Sequence, residues 1–180
     1  RAVSGIATVA LLVAVPFSSK LFVFQPADSK LLTQVVAEPD VEVVYSKWTP
    51  LCQISVTERT SPTNVSRAVY QDGDARTGIP AAGGEGVAFP PYTLKKDPRV
   101  LIIGTGGGWD VHMALSGGAS HITGAEINTV TLGVCKNPEY NVLADSFNAN
   151  PNIELNNAEG RFFVRSNDTK YDIIQMLSLI

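Results

Sequence analysis

The residues whose type and spacing point most clearly to a binding site are the glycines in the stretch from Val100 to Asp110, which reads VLIIGTGGGWD. The four leading apolar residues are typical of a strand buried on both faces of a parallel sheet. The glycines at 104, 106, 107 and 108 allow the backbone to turn sharply and to approach a ligand closely, because no Cβ intervenes. A helix that begins near Trp109 or Asp110 would point its free N–H groups at the same place.

An acidic residue stands in register with this turn. Glu126 ends the run HITGAE, which we predict to be the second strand of the sheet. An acid about 20 residues past the first glycine, at the end of the second strand, is where such folds accept hydrogen bonds from a ribose diol. The pairing predicts a nucleoside-bearing ligand.

The glycine spacing bears on which nucleoside binds. The dinucleotide pattern GxGxxG would need its third glycine at position 109, where this chain has Trp109. The observed GxGxG at Gly104, Gly106 and Gly108 resembles motif I of the class I S-adenosylmethionine-dependent methyltransferase fold. Two alternatives stay open: a dinucleotide site, and a glycine-rich turn that binds no ligand.

Composition and charge favour one α/β catalytic domain. The 180 residues are 44% hydrophobic, which is ample material for a core. A net charge of −3 offers no electrostatic footprint for nucleic acid, so we expect no nucleic-acid partner. Cys52 and Cys135 lack the spacing of a metal site and are expected to be unpaired thiols, and no metal is predicted. His112 and His121 are isolated and are expected to be structural or exposed.

The first 27 residues form an apolar segment of their own. Ala2 to Ser19 contains 18 residues and no charge. Three interpretations stay open: the end of a membrane helix, a signal-like segment, and a buried element. Because the chain begins with Arg1 and stops at Ile180 in an apolar run, we expect a fragment that is truncated at its C-terminus.

Residues 28–92 are predicted to form a small β-hairpin element. Val41 to Tyr45 and Gln53 to Thr57 read as two strands, and Arg67 to Gln71 as a third. The glycine-rich stretch from Asp72 to Gly86 reads as a long loop.

Residues 93–180 alternate strands and helices and are expected to bind the nucleoside. Besides the strand before Gly104, the expected elements are helix Trp109–Ser116, strand His121–Glu126, helix Thr129–Ser146 with a break near Asn137 and Pro138, strand Asn152–Asn156, a short helix at RFFV, and strand Tyr171–Met176. Such an alternation predicts an α/β fold with a doubly wound, Rossmann-like parallel sheet.

Four of these motifs in this order carry a family resemblance. VLIIGTGGGWD, GAEIN, AEGRFFV and YDIIQM resemble the core of spermidine synthase and the other polyamine aminopropyltransferases, which share the methyltransferase-like fold. The stretch VVYSKWTPLCQISV is similar to the β domain that precedes that core. The apolar head is similar to the spans of membrane-attached members. The resemblance covers roughly residues 41 to 180.

The resemblance implies a ligand and a set of contacts. S-adenosylmethionine or its decarboxylated form would be the co-substrate, and a small-molecule amine or another acceptor the partner. Gly104, Gly106 and Gly108 would lie under the amino-acid-derived arm of the ligand, and Glu126 would hold the ribose hydroxyls. Glu159 matches an acid that contacts adenine, and a helix N-terminal acid is the alternative.

The chain departs from the family in two places. Where the glycine loop of the family usually carries an aspartate, this chain has Gly107, and Asp110 follows three residues later as a candidate substitute. Where the synthases end strand four with an aspartate that helps to deprotonate the amine, Leu177 stands instead. No general base is therefore visible, and the catalytic residue stays unknown.

Three functions follow as alternatives. The first is aminopropyl transfer to an amine in polyamine biosynthesis. The second is methyl transfer to an unknown acceptor, and the third is nucleoside binding without turnover. The resemblance implies a cytoplasmic catalytic domain, either free or attached to a membrane, with a homodimer as one assembly to test.

Overall fold

Two four-stranded sheets organise the described residues, which are 25–81 and 90–176 of a computed structural model. The apolar segment Ala2–Ser19, the end of the expected glycine-rich loop and Leu177 lie outside the described residues. No helix within the described ranges is both long enough and apolar enough to cross a membrane.

The first sheet is an antiparallel meander that follows helix α1 (Leu31–Val36). Its strands, in chain order and in spatial order, are β1 (Val41–Trp48), β2 (Gln53–Thr60), β3 (Val65–Gln71) and β4 (Ala75–Ile79). The three predicted strands are confirmed in place, and each is longer than expected.

The fourth strand corrects the sequence interpretation. Residues 75–79 were expected in a long loop and instead pair antiparallel with β3. The reversal is made by Asp72 and Gly73, whose φ angles of 49° and 76° are those of a tight hairpin turn. Asp74 N–H closes the turn by donating to the Gln71 carbonyl at 3.0 Å. The Asp-Gly pair was the signal in the sequence for this hairpin.

The second sheet is parallel and confirms the predicted doubly wound α/β class. Its spatial order is β7-β6-β5-β8, so the chain moves outward from β5 in one direction and then returns to its other side. The strands are β5 (Arg99–Ile103), β6 (His121–Glu126), β7 (Ile153–Asn157) and β8 (Ile173–Gln175). In sheets of this kind the ligand crevice lies at the carboxyl ends of the strands where the order reverses.

Four helices accompany this sheet, and a 3-10 turn (Pro90–Thr93) precedes it. The helices are α2 (Trp109–Ser116), α3 (Thr129–Lys136), α4 (Ala144–Ala149) and α5 (Gly160–Ser166). The predicted break near Asn137 is confirmed: Asn137 is extended (φ −100°, ψ 120°), as a residue before proline prefers to be. Asn128 caps α3 by accepting hydrogen bonds from Val130 N and Thr131 N.

Two of the three apolar clusters formed by the described residues lie next to the site. One packs α2 and α4 against the parallel sheet and includes Val100, Val111 and Phe147. The other joins the antiparallel sheet to α3, with Ile79 of β4 packed in the same cluster as Val134 of α3. The second cluster places β4 beside the glycine loop, and that placement shapes the site.

Candidate functional site

A cavity of about 550 Å³ opens at the carboxyl ends of β5 and β6. It collects the predicted site residues Gly104, Gly106, Asp110, Glu126 and Glu159, whereas Gly108 is not among the residues that line it. The other walls come from β4, α2 and the start of α5, through residues that include Ala75, Arg76, Thr77, Gly78, Trp109, Met113, Ile127, Ala158 and Gly160.

Gly104 is the position where the backbone leaves room for a ligand. Its φ is +80°, and a Cβ built there would meet no atom of the described residues within 4 Å. The left-handed conformation favours glycine, and the open space in front of it faces the cavity. A flat group could therefore approach the backbone at Gly104 closely.

Gly106 and Gly107 lie against β4, and Gly106 lines the cavity as well. A Cβ at Gly106 would lie 2.7 Å from Thr77 Oγ1, and one at Gly107 would lie 2.7 Å from the Gly78 carbonyl oxygen. The sequence suggested that the glycines of the loop make room for a ligand. At 106 and 107 the structure adds a second reason for glycine, because a side chain at either position would collide with β4.

Gly108 faces inward rather than toward the cavity. It precedes α2 with φ +93°, and a Cβ there would lie 3.0 Å from Cys135 Sγ and 3.1 Å from Phe147. Its smallness lets α2 start close to α3 and α4. Cys135 itself is buried, which raises the pKa of its thiol to about 12.

Glu126 ties the glycine loop to the end of β6. Its Oε2 accepts a hydrogen bond from Gly106 N at 3.1 Å, and its Oε1 accepts one from Asn128 N at 2.9 Å. The residue is only 3% exposed, yet it lines the cavity. A carboxylate has about four acceptor sites, so two remain for donors from a ligand such as the hydroxyls of a ribose.

Asp110 is a buried acid in the first turn of α2. Burial raises the pKa of its carboxyl from the ordinary 3.8 to about 6, against a smaller lowering by the neighbouring Gln175 amide. Gln175 accepts a hydrogen bond from the Tyr92 hydroxyl through its Oε1. Burial, and secondly the charge of Asp110, raise the pKa of Tyr92 to about 12.

Glu159 caps α5. Its two carboxylate oxygens accept hydrogen bonds from Arg161 N at 3.0 Å and Phe162 N at 2.7 Å, and these bonds lower the pKa of the carboxyl. The alternative of a helix N-terminal acid thus describes what the carboxylate does in the structure. The residue also lines the cavity, so the cap and a ligand contact are compatible.

Sequence reasoning missed the wall that β4 supplies. Arg76 and Thr77 of β4 line the cavity, and Trp109 packs on Gly78, with 3.6 Å between a ring atom and the position of a Cβ at Gly78. Arg76 is exposed and forms no ion pair with another described residue. Recognition of the Asp72-Gly73 hairpin would have placed β4, but not its contact with the glycine loop.

The fold is shared with solved spermidine synthases. One of them is a spermidine synthase in complex with the transition state analogue AdoDATO, and another is the spermidine synthase from Thermotoga maritima. Each matches with a TM-score of 0.56 and 22% sequence identity over 74% of this chain. The matches cover 46% and 47% of the synthase chains, so this chain spans about half their length.

A weaker match is a SAM-dependent methyltransferase from Agrobacterium tumefaciens, with a TM-score of 0.39 and 16% identity over 80% of this chain and 48% of the methyltransferase. No protein-family model and no curated protein sequence matches the chain. At these identities the comparisons establish the fold, and the chemistry has to be argued from the cavity.

Proposed function

We propose that the chain binds a nucleoside of the S-adenosylmethionine type and transfers a group from its sulfonium to an acceptor. The observation that carries the proposal is the open face of Gly104 beside the Glu126 carboxylate, in one cavity at the carboxyl ends of β5 and β6. These two residues offer what such a ligand needs, namely close backbone approach and acceptors for a ribose diol.

The bound ligand would supply a carbon next to a sulfonium, which is reactive toward nucleophiles. The residues of the chain would mainly orient it. Glu126 would accept hydrogen bonds from the ribose, while its existing bonds to Gly106 N and Asn128 N hold the carboxylate in place. Fixed orientation of two reactants is itself a large source of rate acceleration.

Aminopropyl transfer from decarboxylated S-adenosylmethionine to an amine is the first specific candidate. The fold shared with spermidine synthases and the order of the four motifs support it. An amine acceptor must lose a proton, and Asp110 is the cavity acid with a pKa near neutrality, at about 6. In this candidate Asp110 takes the proton of the amine. It replaces the aspartate that the synthases carry at the end of strand four and that this chain lacks.

Methyl transfer from intact S-adenosylmethionine is the second candidate. The observation that favours it is Arg76, a cation on the cavity wall that can bind the carboxylate that the decarboxylated ligand lacks.

The binding step can be tested with a matched pair of glycine variants. Gly104 and Gly118 have φ angles of +80° and +79°, and a Cβ at either one would meet no atom within 4 Å. Only Gly104 is among the residues that line the cavity. Gly104→Leu and Gly118→Leu therefore carry the same backbone strain and differ in where the side chain projects.

We expect calorimetry to detect binding of S-adenosylhomocysteine by the unmodified chain and by Gly118→Leu. Gly104→Leu should lose binding, because its side chain would fill the space in front of the loop. Equal affinity of all three proteins would contradict the proposed site, and absence of binding by the unmodified chain would contradict the proposed function.

A further inference from the structure

Arg76 is the one basic residue among the described residues that line the cavity. The charged side chains among the described residues that line the cavity are Asp110, Glu126, Glu159 and Arg76. Each carboxylate already has contacts with the chain: Glu126 and Glu159 accept backbone hydrogen bonds, and Asp110 is buried beside Gln175. The Arg76 guanidinium forms no ion pair with a described residue.

The acids nearest to Arg76 in the chain are committed elsewhere. Asp74 pairs with Lys30 at 2.9 Å, and Asp72 accepts a hydrogen bond from Gln53 N at 2.8 Å. Arg67 on the neighbouring strand β3 differs from Arg76, because its guanidinium is paired. Two of its nitrogens contact the Glu58 carboxylate at 2.6 and 2.7 Å. Within the described ranges, therefore, no carboxylate occupies the Arg76 guanidinium, and it can pair with an anion from outside the chain.

Arg76 lies on the same face of β4 as Gly78, because side chains alternate along a strand. Trp109 packs on Gly78 and lines the cavity together with Arg76, and Gly106, whose N–H donates to Glu126, lines the same cavity. A nucleoside whose ribose is held by Glu126 would therefore send any arm that crosses the glycine loop toward β4. The group at the end of such an arm would meet the positive charge of Arg76.

We propose, building on the proposed nucleoside site, that Arg76 binds the carboxylate of the ligand's amino-acid arm. The site then selects intact S-adenosylmethionine over its decarboxylated form. A guanidinium and a carboxylate form two parallel charge-assisted hydrogen bonds, which give both affinity and orientation. The decarboxylated ligand keeps the ammonium group of that arm without the carboxylate, so only the repulsion between like charges would remain near Arg76.

The test is calorimetric titration of the chain with two ligands, S-adenosylmethionine and decarboxylated S-adenosylmethionine. The variants are Arg76→Gln, which removes the charge, and Arg76→Lys, which keeps it without the planar fork. Arg165→Gln serves as the control, because it removes an exposed arginine that is not among the cavity-lining residues. Thermal melts of each variant verify that it is folded.

We expect the unmodified chain and Arg165→Gln to bind the intact ligand more tightly than the decarboxylated one. Arg76→Gln should weaken binding of the intact ligand about tenfold, or about 1.4 kcal/mol, and leave the decarboxylated ligand unchanged or bound more tightly. Arg76→Lys should fall between the two.

Two results would overturn the inference. If Arg76→Gln weakens the binding of both ligands equally, or of neither, the guanidinium does not contact the carboxylate. Measurable binding of both ligands would in that case still support the proposed function. If the unmodified chain binds neither ligand, the proposed function fails and this inference fails with it.

Discussion

Three carboxylates of the cavity differ in ways that their residue type does not reveal. Glu159 caps helix α5, and Glu126 accepts hydrogen bonds from two backbone N–H groups. Asp110 is buried, and its pKa is raised to about 6. The position at the end of a strand identifies Glu126 as a candidate, and the family resemblance identifies Asp110 and Glu159. The sequence could not assign the environment of Asp110, because its neighbour Gln175 belongs to β8, which lies elsewhere in the chain.

The raised pKa of Asp110 makes a prediction about stability. Folded Asp110 binds a proton more tightly than the unfolded residue, whose pKa is the ordinary 3.8. Its contribution to the free energy of unfolding therefore decreases as the pH rises from about 4 to about 6. Above that range the folded state bears the full cost of an ionised, buried carboxylate. Asp110→Asn cannot ionise and should be more stable than the unmodified chain at pH 7 by about 1–3 kcal/mol.

Urea denaturation of both proteins at several pH values measures this difference. The advantage of Asp110→Asn should shrink toward zero as the pH approaches 4, because the unmodified carboxyl is then protonated as well. An advantage that stays constant from pH 4 to pH 7 would show that the carboxyl has an ordinary pKa.

Glu126 makes a prediction about ligand discrimination. Glu126→Gln keeps one oxygen acceptor but loses the charge, and it should cost on the order of 1.5–3 kcal/mol in binding of S-adenosylhomocysteine. A 2′,3′-dideoxy analogue, which has no ribose diol, should bind the variant and the unmodified chain about equally. Glu154→Gln on β7, which is exposed and not among the cavity-lining residues, is the control.

Calorimetry with both ligands separates the two roles of Glu126. Equal losses for the ribose ligand and the dideoxy analogue would mean that the carboxylate only supports the loop through Gly106 N and Asn128 N, and the assignment to the ribose would be wrong.

At the scale of elements, local signals predicted the parallel half well. Helix Trp109–Ser116 and strand His121–Glu126 have the predicted bounds, because an apolar run, a glycine turn and a closing Gly117 all point to the same structure. Strand β4 was missed because ARTGI has little apolar alternation of its own. It is stabilised by pairing with β3 and by Ile79 packing near α3, both of which are tertiary contacts.

The contact between β4 and the glycine loop predicts a contrast between two glycines. Gly107→Ala would place a Cβ 2.7 Å from the Gly78 carbonyl oxygen, so β4 must shift, and we expect a loss of about 1–3 kcal/mol in unfolding free energy. Gly133→Ala in α3 meets nothing within 4 Å and should add about 0.5–1 kcal/mol, since alanine favours a helix.

Urea denaturation of both alanine variants at pH 7 checks the contrast. If Gly107→Ala is as stable as the unmodified chain, β4 does not press on the loop as the structure has it, and the wall of the cavity that carries Arg76 would have to lie elsewhere.

At the scale of the whole molecule, residues of both the parallel sheet and the antiparallel sheet line the cavity. A parallel, doubly wound sheet, observed with the order β7-β6-β5-β8, follows from the strand–helix alternation that the sequence displays. The packing of the antiparallel sheet against α3 does not, because it depends on the shapes of apolar clusters that no periodicity encodes. The glycine loop and Glu126 could therefore be predicted, whereas Arg76 and the raised pKa of Asp110 could not.

The central claim is that a nucleoside of the S-adenosylmethionine type binds at the carboxyl ends of β5 and β6. An amide chemical-shift titration of the chain with S-adenosylhomocysteine tests it most directly, because the signals report position as well as binding. We predict saturable shifts at Gly104, Gly106 and Ile127, and none at Gly118 or Gly133, which are not among the residues that line the cavity. Shifts confined to residues away from the glycine loop, or no shifts at all, would contradict the account.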